Sequence, residues 1–207
     1  MNVIVTGGCG FVGSSLCLYL KNKIKKIKIL SLDNLSKEYS RRNQKILKKN
    51  NIENKIINVG NFNQMKNIKF KADVIIDCSA NPSVEASKRN MTKIIESNFL
   101  STVNILEKTS HDKSKLIFLS SSRVYPINDS YARFKKYLNT GKLSSYDEND
   151  NTDGPKTMYG FTKFSSEELI KEYKYSNNID YIINRCGLIS GPGQFGKVEQ
   201  GLVSLWM

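Results

Sequence analysis

A phenol and an ammonium stand four residues apart in Met158-Tyr159-Gly160-Phe161-Thr162-Lys163, a spacing that puts both on one face of a helix. A free phenol, with a pKa near about 10, is a poor base at neutral pH, and a neighbouring ammonium favours its charged form. Tyr159 and Lys163 could therefore take a proton from a substrate hydroxyl. Upstream, the apolar run Leu116 to Ser120 ends in Ser120-Ser121-Ser122-Arg123-Val124-Tyr125, a cluster of hydroxyls at a strand end. A Tyr and a Lys at this spacing are common by chance. Their meaning depends on what else the chain carries.

The chain opens with Val3-Ile4-Val5-Thr6-Gly7-Gly8-Cys9-Gly10-Phe11-Val12-Gly13, which reads as a strand, a tight turn and a helix over Phe11 to Leu20. Its glycines fit Gly8-x-Gly10-x-x-Gly13 and the wider Gly7-x-x-Gly10-x-x-Gly13. In such a loop one glycine permits the turn, one lets backbone N–H groups approach a pyrophosphate, and Gly13 lets the helix pack closely on the strand. A second strand, Ile27 to Leu32, ends at Asp33. That carboxylate lies about 20 residues beyond the last glycine, where a dinucleotide-binding fold places the group that takes the ribose hydroxyls.

Strands and helices alternate through the rest of the chain. The pattern predicts a helix over Tyr39 to Lys49, a strand over Lys55 to Val59, a short helix over Phe62 to Phe70 and an apolar strand over Asp73 to Asp77. It continues with a long helix over Thr92 to Ser110, the strand Leu116 to Ser120, a helix over Tyr159 to Ser176 and a strand over Tyr181 to Asn184. Apolar strands separated by helices indicate a doubly wound parallel sheet in three layers, the Rossmann arrangement. Ligands bind beyond the carboxyl ends of such strands, so the serines after Leu119 face the crevice. The stretch Asn128 to Lys156, rich in Asp, Asn, Ser and Gly, reads as a long functional loop.

Composition excludes other classes. The 207 residues suit one large domain, no run is long enough to span a membrane, and the chain starts directly with a strand, so a cytoplasmic protein without a signal peptide is expected. Cys9, Cys17, Cys78 and Cys186 have no paired spacing, which argues against a zinc site or a disulfide framework and for buried thiols. The formal charge of +13 is spread over Lys21 to Lys28, Arg41 to Lys49 and Lys66 to Lys71 without a nucleic-acid motif. It reads as a solvated basic surface that attracts anionic nucleotides. His111, the only histidine, is assigned no catalytic role.

Taken together, Thr6-Gly7-Gly8-x-Gly10-Phe11-Val12-Gly13, Asp33-Asn34-Leu35-Ser36, Ser120-Ser121-Ser122-x-Val124-Tyr125 and the Tyr159/Lys163 pair make the chain resemble the extended short-chain dehydrogenase/reductase family of NAD-dependent epimerases and dehydratases. The resemblance covers nearly the whole chain. It implies NAD as cofactor and a nucleotide sugar as substrate, with Tyr159 as base, Lys163 as its partner and holder of the nicotinamide ribose, and Ser121 on the reacting hydroxyl. It implies cofactor contacts from Gly7, Gly10, Phe11, Val12, Gly13, Asp33 and Asn34. It adds Asn61, Ser79, Ala80 and Asn98, with Asn61 standing where most relatives carry an adenine-contacting Asp.

Departures from the family pattern narrow the branch. The family's Arg-x-x-Asn-x-Tyr-Gly-Pro is here Arg185-Cys186-Gly187-Leu188-Ile189-Ser190-Gly191-Pro192, without the usual Asn and Tyr. That stretch, with Gln194-Phe195-Gly196-Lys197-Val198 and Gln200-Gly201, is similar to the CDP-paratose (CDP-tyvelose) 2-epimerase branch. Ser122 and Arg123 occupy the places of the Asp-Glu pair that 4,6-dehydration requires, which favours epimerisation. The resemblance divides the chain into a cofactor domain, 1–184, and the start of a truncated substrate portion, 185–207. The apolar residues Leu202, Val203, Leu205 and Trp206 would then be covered by following structure, and a homo-oligomer is expected at full length. The competing readings are an NAD-binding fragment without turnover, or another nucleotide-sugar epimerase or dehydratase.

Overall fold

The computed structural model describes residues 1–82 and 90–196. Six parallel strands form one sheet in the order β3-β2-β1-β4-β5-β6. The strands are β1 (Asn2–Thr6), β2 (Lys28–Asp33), β3 (Glu53–Ile56), β4 (Val74–Asp77), β5 (Lys115–Ser121) and β6 (Asp180–Cys186). This order reverses direction between β1 and β4, and a crevice opens at that switch point beyond the carboxyl ends of the strands.

Successive residues of a strand face opposite sides of the sheet, and both sides are apolar here. On one side Val3, Val5, Ile29 and Ile76 pack with Cys17 of α1 (Phe11–Lys23) and Leu47 of α2 (Ser40–Lys49). On the other, Ile4, Leu30, Ile75, Leu116 and Phe118 pack with the helix that precedes β5 and with Ile170 of the helix that precedes β6. The three-layer expectation is met.

Between β4 and β5 the described chain runs as α4 (Met91–Ile94), a π-helical segment Ile95–Leu100 and α5 (Ser101–Asp112). The expected single helix is thus interrupted by a wider turn, and Asn98 lies in that turn. Strand β3 ends at Ile56 rather than Val59, and α3 (Phe62–Lys66) is shorter than its apolar pattern suggested. The larger correction concerns residues 128–156. Instead of a continuous loop the chain forms α6 (Ile127–Thr140), none of whose residues is buried. Pro126 precedes its first turn, Gly141 ends it at φ +67°, and Arg133 Nε bonds Asp129 Oδ2 at 2.9 Å one turn away. Ile127, Tyr131, Phe134 and Leu138 recur at helical spacing, but the Asn, Asp and Ser among them obscured the stripe.

Strand β5 passes through a single 3₁₀ turn, Ser122–Val124, and α7 (Met158–Asn177) returns to the sheet edge. Thr157 Oγ1 accepts from Gly160 N at 3.0 Å and caps α7 at the point where the Tyr159 face must be aimed. Among the described residues no helix is long and apolar enough to cross a membrane.

Candidate active site

The crevice is a cleft of about 1180 Å³, lined from the β1–α1 loop to the end of β6. That volume exceeds an ordinary small-molecule site. At its base Gly7 takes φ +61°, and a Cβ on Gly13 would lie 2.3 Å from the Gly7 carbonyl oxygen. Only glycine permits α1 to start this close to the strand. No side chain caps α1, so its first-turn N–H groups remain available to an anion in the cleft.

Asp33 ends β2 beside this loop. Its Oδ1 accepts from Leu35 N at 2.8 Å and its Oδ2 from Cys9 N at 3.0 Å, which fixes the carboxylate at the cleft edge. Burial pushes its pKa up, and the N–H groups of Leu35, Cys9 and Gly10 pull it back. Asn34, Ser79 and Ala80 line the cleft as expected for cofactor contacts. Asn61 and Asn98 are placed differently. Asn61 Oδ1 accepts from Gln64 N at 3.0 Å as the cap of α3, and Asn58, Val59 and Gly60 are the lining residues there. Buried Asn98 accepts from Asn81 N at 2.7 Å and donates to Asn81 O and Thr162 Oγ1, each at 3.2 Å. It does not line the cleft itself but ties the cleft-lining Asn81 to α7.

Ser121, Tyr159 and Lys163 all line the same end of the cleft. Gly160 lets α7 come this near: a Cβ there would sit 2.1 Å from the Arg123 carbonyl oxygen. Ser121 Oγ accepts from Arg123 N at 3.2 Å, and its hydroxyl lies near enough to the Tyr159 phenol to lower that group's pKa. Its capping role and its role beside the phenol coexist. Burial pushes the Tyr159 phenol up, as do the Cys186 thiol and Asp77, whereas the Ser121 hydroxyl and the Arg123 guanidinium pull it down. Lys163 is fully buried with its ammonium 4.3 Å from the centre of the Phe118 ring. Burial lowers its pKa, opposed chiefly by Asp77.

Sequence reasoning missed the supports of this site. Glu167, one turn beyond Lys163 on α7, is buried and receives Arg185 Nη2 at 2.8 Å, Arg185 Nε at 3.1 Å and the Ser120 hydroxyl. Arg185 Nη1 reaches the Tyr125 hydroxyl at 3.3 Å, Tyr125 donates to Asp147 O at 2.7 Å, and the Tyr125 ring stacks on Tyr146 at 4.1 Å. The network therefore joins α7, β6, the serine turn and the segment after α6. Two cysteines also differ from expectation: Cys9 and Cys17 are buried thiols, whereas Cys78 and Cys186 are only partly buried and line the cleft.

A doubly wound sheet, a glycine loop with a carboxylate after β2, and a Tyr-Lys helix against a serine turn define an α/β oxidoreductase-like site. The model of the NAD dependent epimerase/dehydratase family matches residues 3–207, and the chain belongs to that family. Among curated relatives it is 30% identical to a dTDP-D-glucose 4,6-dehydratase of Dictyostelium discoideum, covering 93% of this chain and 45% of that protein. It is 29% identical to a putative UDP-glucose 4-epimerase of Methanocaldococcus jannaschii, covering 99% and 61%. Solved structures with the same fold include the UDP-glucose 4-epimerase of Thermus thermophilus in complex with NAD, at TM-score 0.77 and 22% identity over 100% of this chain and 61% of that one. The chain thus spans about half to three-fifths of the length of these relatives.

Proposed function

We propose that the protein binds NAD in this cleft and inverts a carbon of a nucleotide-activated sugar. The observation that carries the reading is the convergence of Ser121, Tyr159 and Lys163 at one end of a cleft whose other end holds the glycine loop and Asp33. The residues fit the cofactor: the uncapped α1 N-terminus suits a pyrophosphate, and the Asp33 carboxylate suits a pair of ribose hydroxyls. Bound NAD would supply a hydride acceptor and donor for the sugar carbon. The protein's own part is to hold the hydroxyl on Ser121, take its proton on the Tyr159 phenolate, keep that charge balanced by Lys163, and give the proton back. Residues 1–184 act as the cofactor half and 185 onward begins the substrate half.

Within the substrate class we favour a CDP-dideoxyhexose inverted at C2, because the Arg185-Cys186-Gly187 through Gln194-Phe195-Gly196 pattern is similar to that branch. Ser122 and Arg123 stand where dehydration would need an acidic pair, which argues against loss of water even though a 4,6-dehydratase is among the relatives. The test is incubation of the NAD-loaded protein with CDP-, UDP- and dTDP-hexoses, with products resolved by proton NMR. An inverted sugar of unchanged mass supports the reading. A 4-keto-6-deoxy product overturns it in favour of dehydration.

Asp33 sets a further expected outcome. A carboxylate accepts from a free 2′-hydroxyl and repels a 2′-phosphate, so NAD binds at least about ten-fold more tightly than NADP. Asp33→Asn narrows that gap to within about two-fold, keeping one of the two backbone N–H bonds from Leu35 and Cys9 and losing the other. Calorimetric titration of both cofactors checks this; equal affinities for the unaltered protein would remove Asp33 from its role.

A further inference from the structure

Beyond Cys186 the chain does not leave the cleft. Gly187, Leu188, Ile189 and Gln194 line it, and Gly191 passes the Phe11 ring on the first turn of α1, where a Cβ would sit 3.7 Å from Phe11 Cζ. Gln194 N donates to Gly191 O and Gln194 Nε2 to Ile189 O, each at 3.2 Å, so the segment folds as a turn. Phe195 then stacks on Tyr39, with ring centres 5.1 Å apart and planes 9° from parallel. The Arg42 guanidinium lies 5.7 Å from the centre of the Phe195 ring. Tyr39 lines the cleft just before α2, and burial followed by the Asp33 charge raises its phenol pKa. The segment therefore starts at the Ser121–Tyr159 end, crosses the α1 first turn and is fastened beside Asp33.

We propose that residues 187–196 form a clasp over bound NAD, latched at the adenosine end by Phe195 on Tyr39 and Arg42. The clasp rests on the reading of the cleft as an NAD site. Its physical basis is that an open crevice releases a ligand by diffusion, whereas here a stacked aromatic pair and a cation–aromatic contact must part first. An enzyme that uses and regenerates its cofactor in each turnover has no need to release it, so a slow latch does not limit the chemistry. The clasp slows departure more than entry, as most changes within one binding interface do.

The test uses NADH, whose fluorescence reports binding, chased from the protein with excess NAD in a stopped-flow instrument. Phe195→Ala speeds NADH dissociation about ten-fold, Phe195→Tyr keeps it within about two-fold of the unaltered protein, and Tyr39→Ala, which leaves Phe195 its Arg42 contact, speeds it by less than Phe195→Ala. The double substitution Phe195→Ala with Tyr39→Ala is no faster than Phe195→Ala alone, because Phe195→Ala already removes both the stack on Tyr39 and the Arg42 contact. Phe195 is 37% exposed, so the unfolding temperature of Phe195→Ala stays close to that of the unaltered protein. Dissociation unchanged in Phe195→Ala, or single effects that multiply in the double variant, would overturn the clasp. Failure of the unaltered protein to bind NADH would instead overturn the NAD reading on which it rests.

Discussion

Replacing Tyr159 by Phe lowers turnover by roughly two to four orders of magnitude, the range for removing a positioned general base, while NAD affinity changes less than about two-fold. The asymmetry follows from the site. The ring fills its place between Ser121 and the end of β6 in either form, and only the proton acceptor is lost. On the proposed mechanism Tyr159 acts deprotonated, so the rate climbs as pH rises through the phenol's pKa. Burial raises that pKa, which moves the rising limb toward alkaline pH, and the Ser121 hydroxyl and the Arg123 guanidinium pull it back; on the proposed mechanism the Lys163 cation pulls it down further. Lys163→Met therefore shifts the limb further alkaline, and it also weakens NAD binding. A pH–rate profile for the three proteins reads both effects. Near-normal turnover in Tyr159→Phe would put the base elsewhere.

The second large effect is on stability. Glu167 is the buried acceptor for Arg185 and for the Ser120 hydroxyl, and Glu167→Ala leaves the buried Ser120 hydroxyl and the partly buried Arg185 guanidinium without their carboxylate. Breaking one side of such a buried pair costs about 3–5 kcal/mol. For a domain of this size that lowers the unfolding temperature by about 10 °C. Glu167→Gln, which keeps the volume and one acceptor, loses less. Because Ser120 neighbours Ser121 and Arg185 holds Tyr125, the alanine variant also loosens the serine turn, so activity below its melting point falls more than NAD affinity does. A change in unfolding temperature under about 2 °C would show that the pair contributes little.

What the sequence made legible was local. The glycine loop, Asp33 and the Tyr159/Lys163 spacing are each encoded within one strand, turn or helix, and the alternation of apolar runs pointed to the carboxyl ends of the strands as where the loop and Asp33 lie. Residues whose role depends on distant partners could not be read in this way. Asn98 looks like one polar position in an amphipathic helix until Asn81 and Thr162 are seen to close on it. Glu167 and Arg185 are 18 residues apart and meet only because α7 and β6 are adjacent. Helix α6 escaped because Asn128, Asp129 and Ser130 in its first turn read as loop chemistry and hid the apolar stripe, which packs on no core. The aromatic latch at Phe195 pairs the end of the described chain with a residue before α2, a contact no periodicity announces. The expected cover over Leu202 to Trp206 lies outside the described residues.

The central claim is that a sugar carbon gives up its hydrogen and takes the same one back beside Tyr159. A nucleotide sugar carrying deuterium at the inverted carbon, incubated with the NAD-loaded protein in ordinary water and followed by mass spectrometry and NMR, tests it directly. The expected product is an epimer that retains the deuterium at that carbon, with none formed by Tyr159→Phe on the same timescale. An epimer in which solvent hydrogen has replaced the deuterium would contradict it.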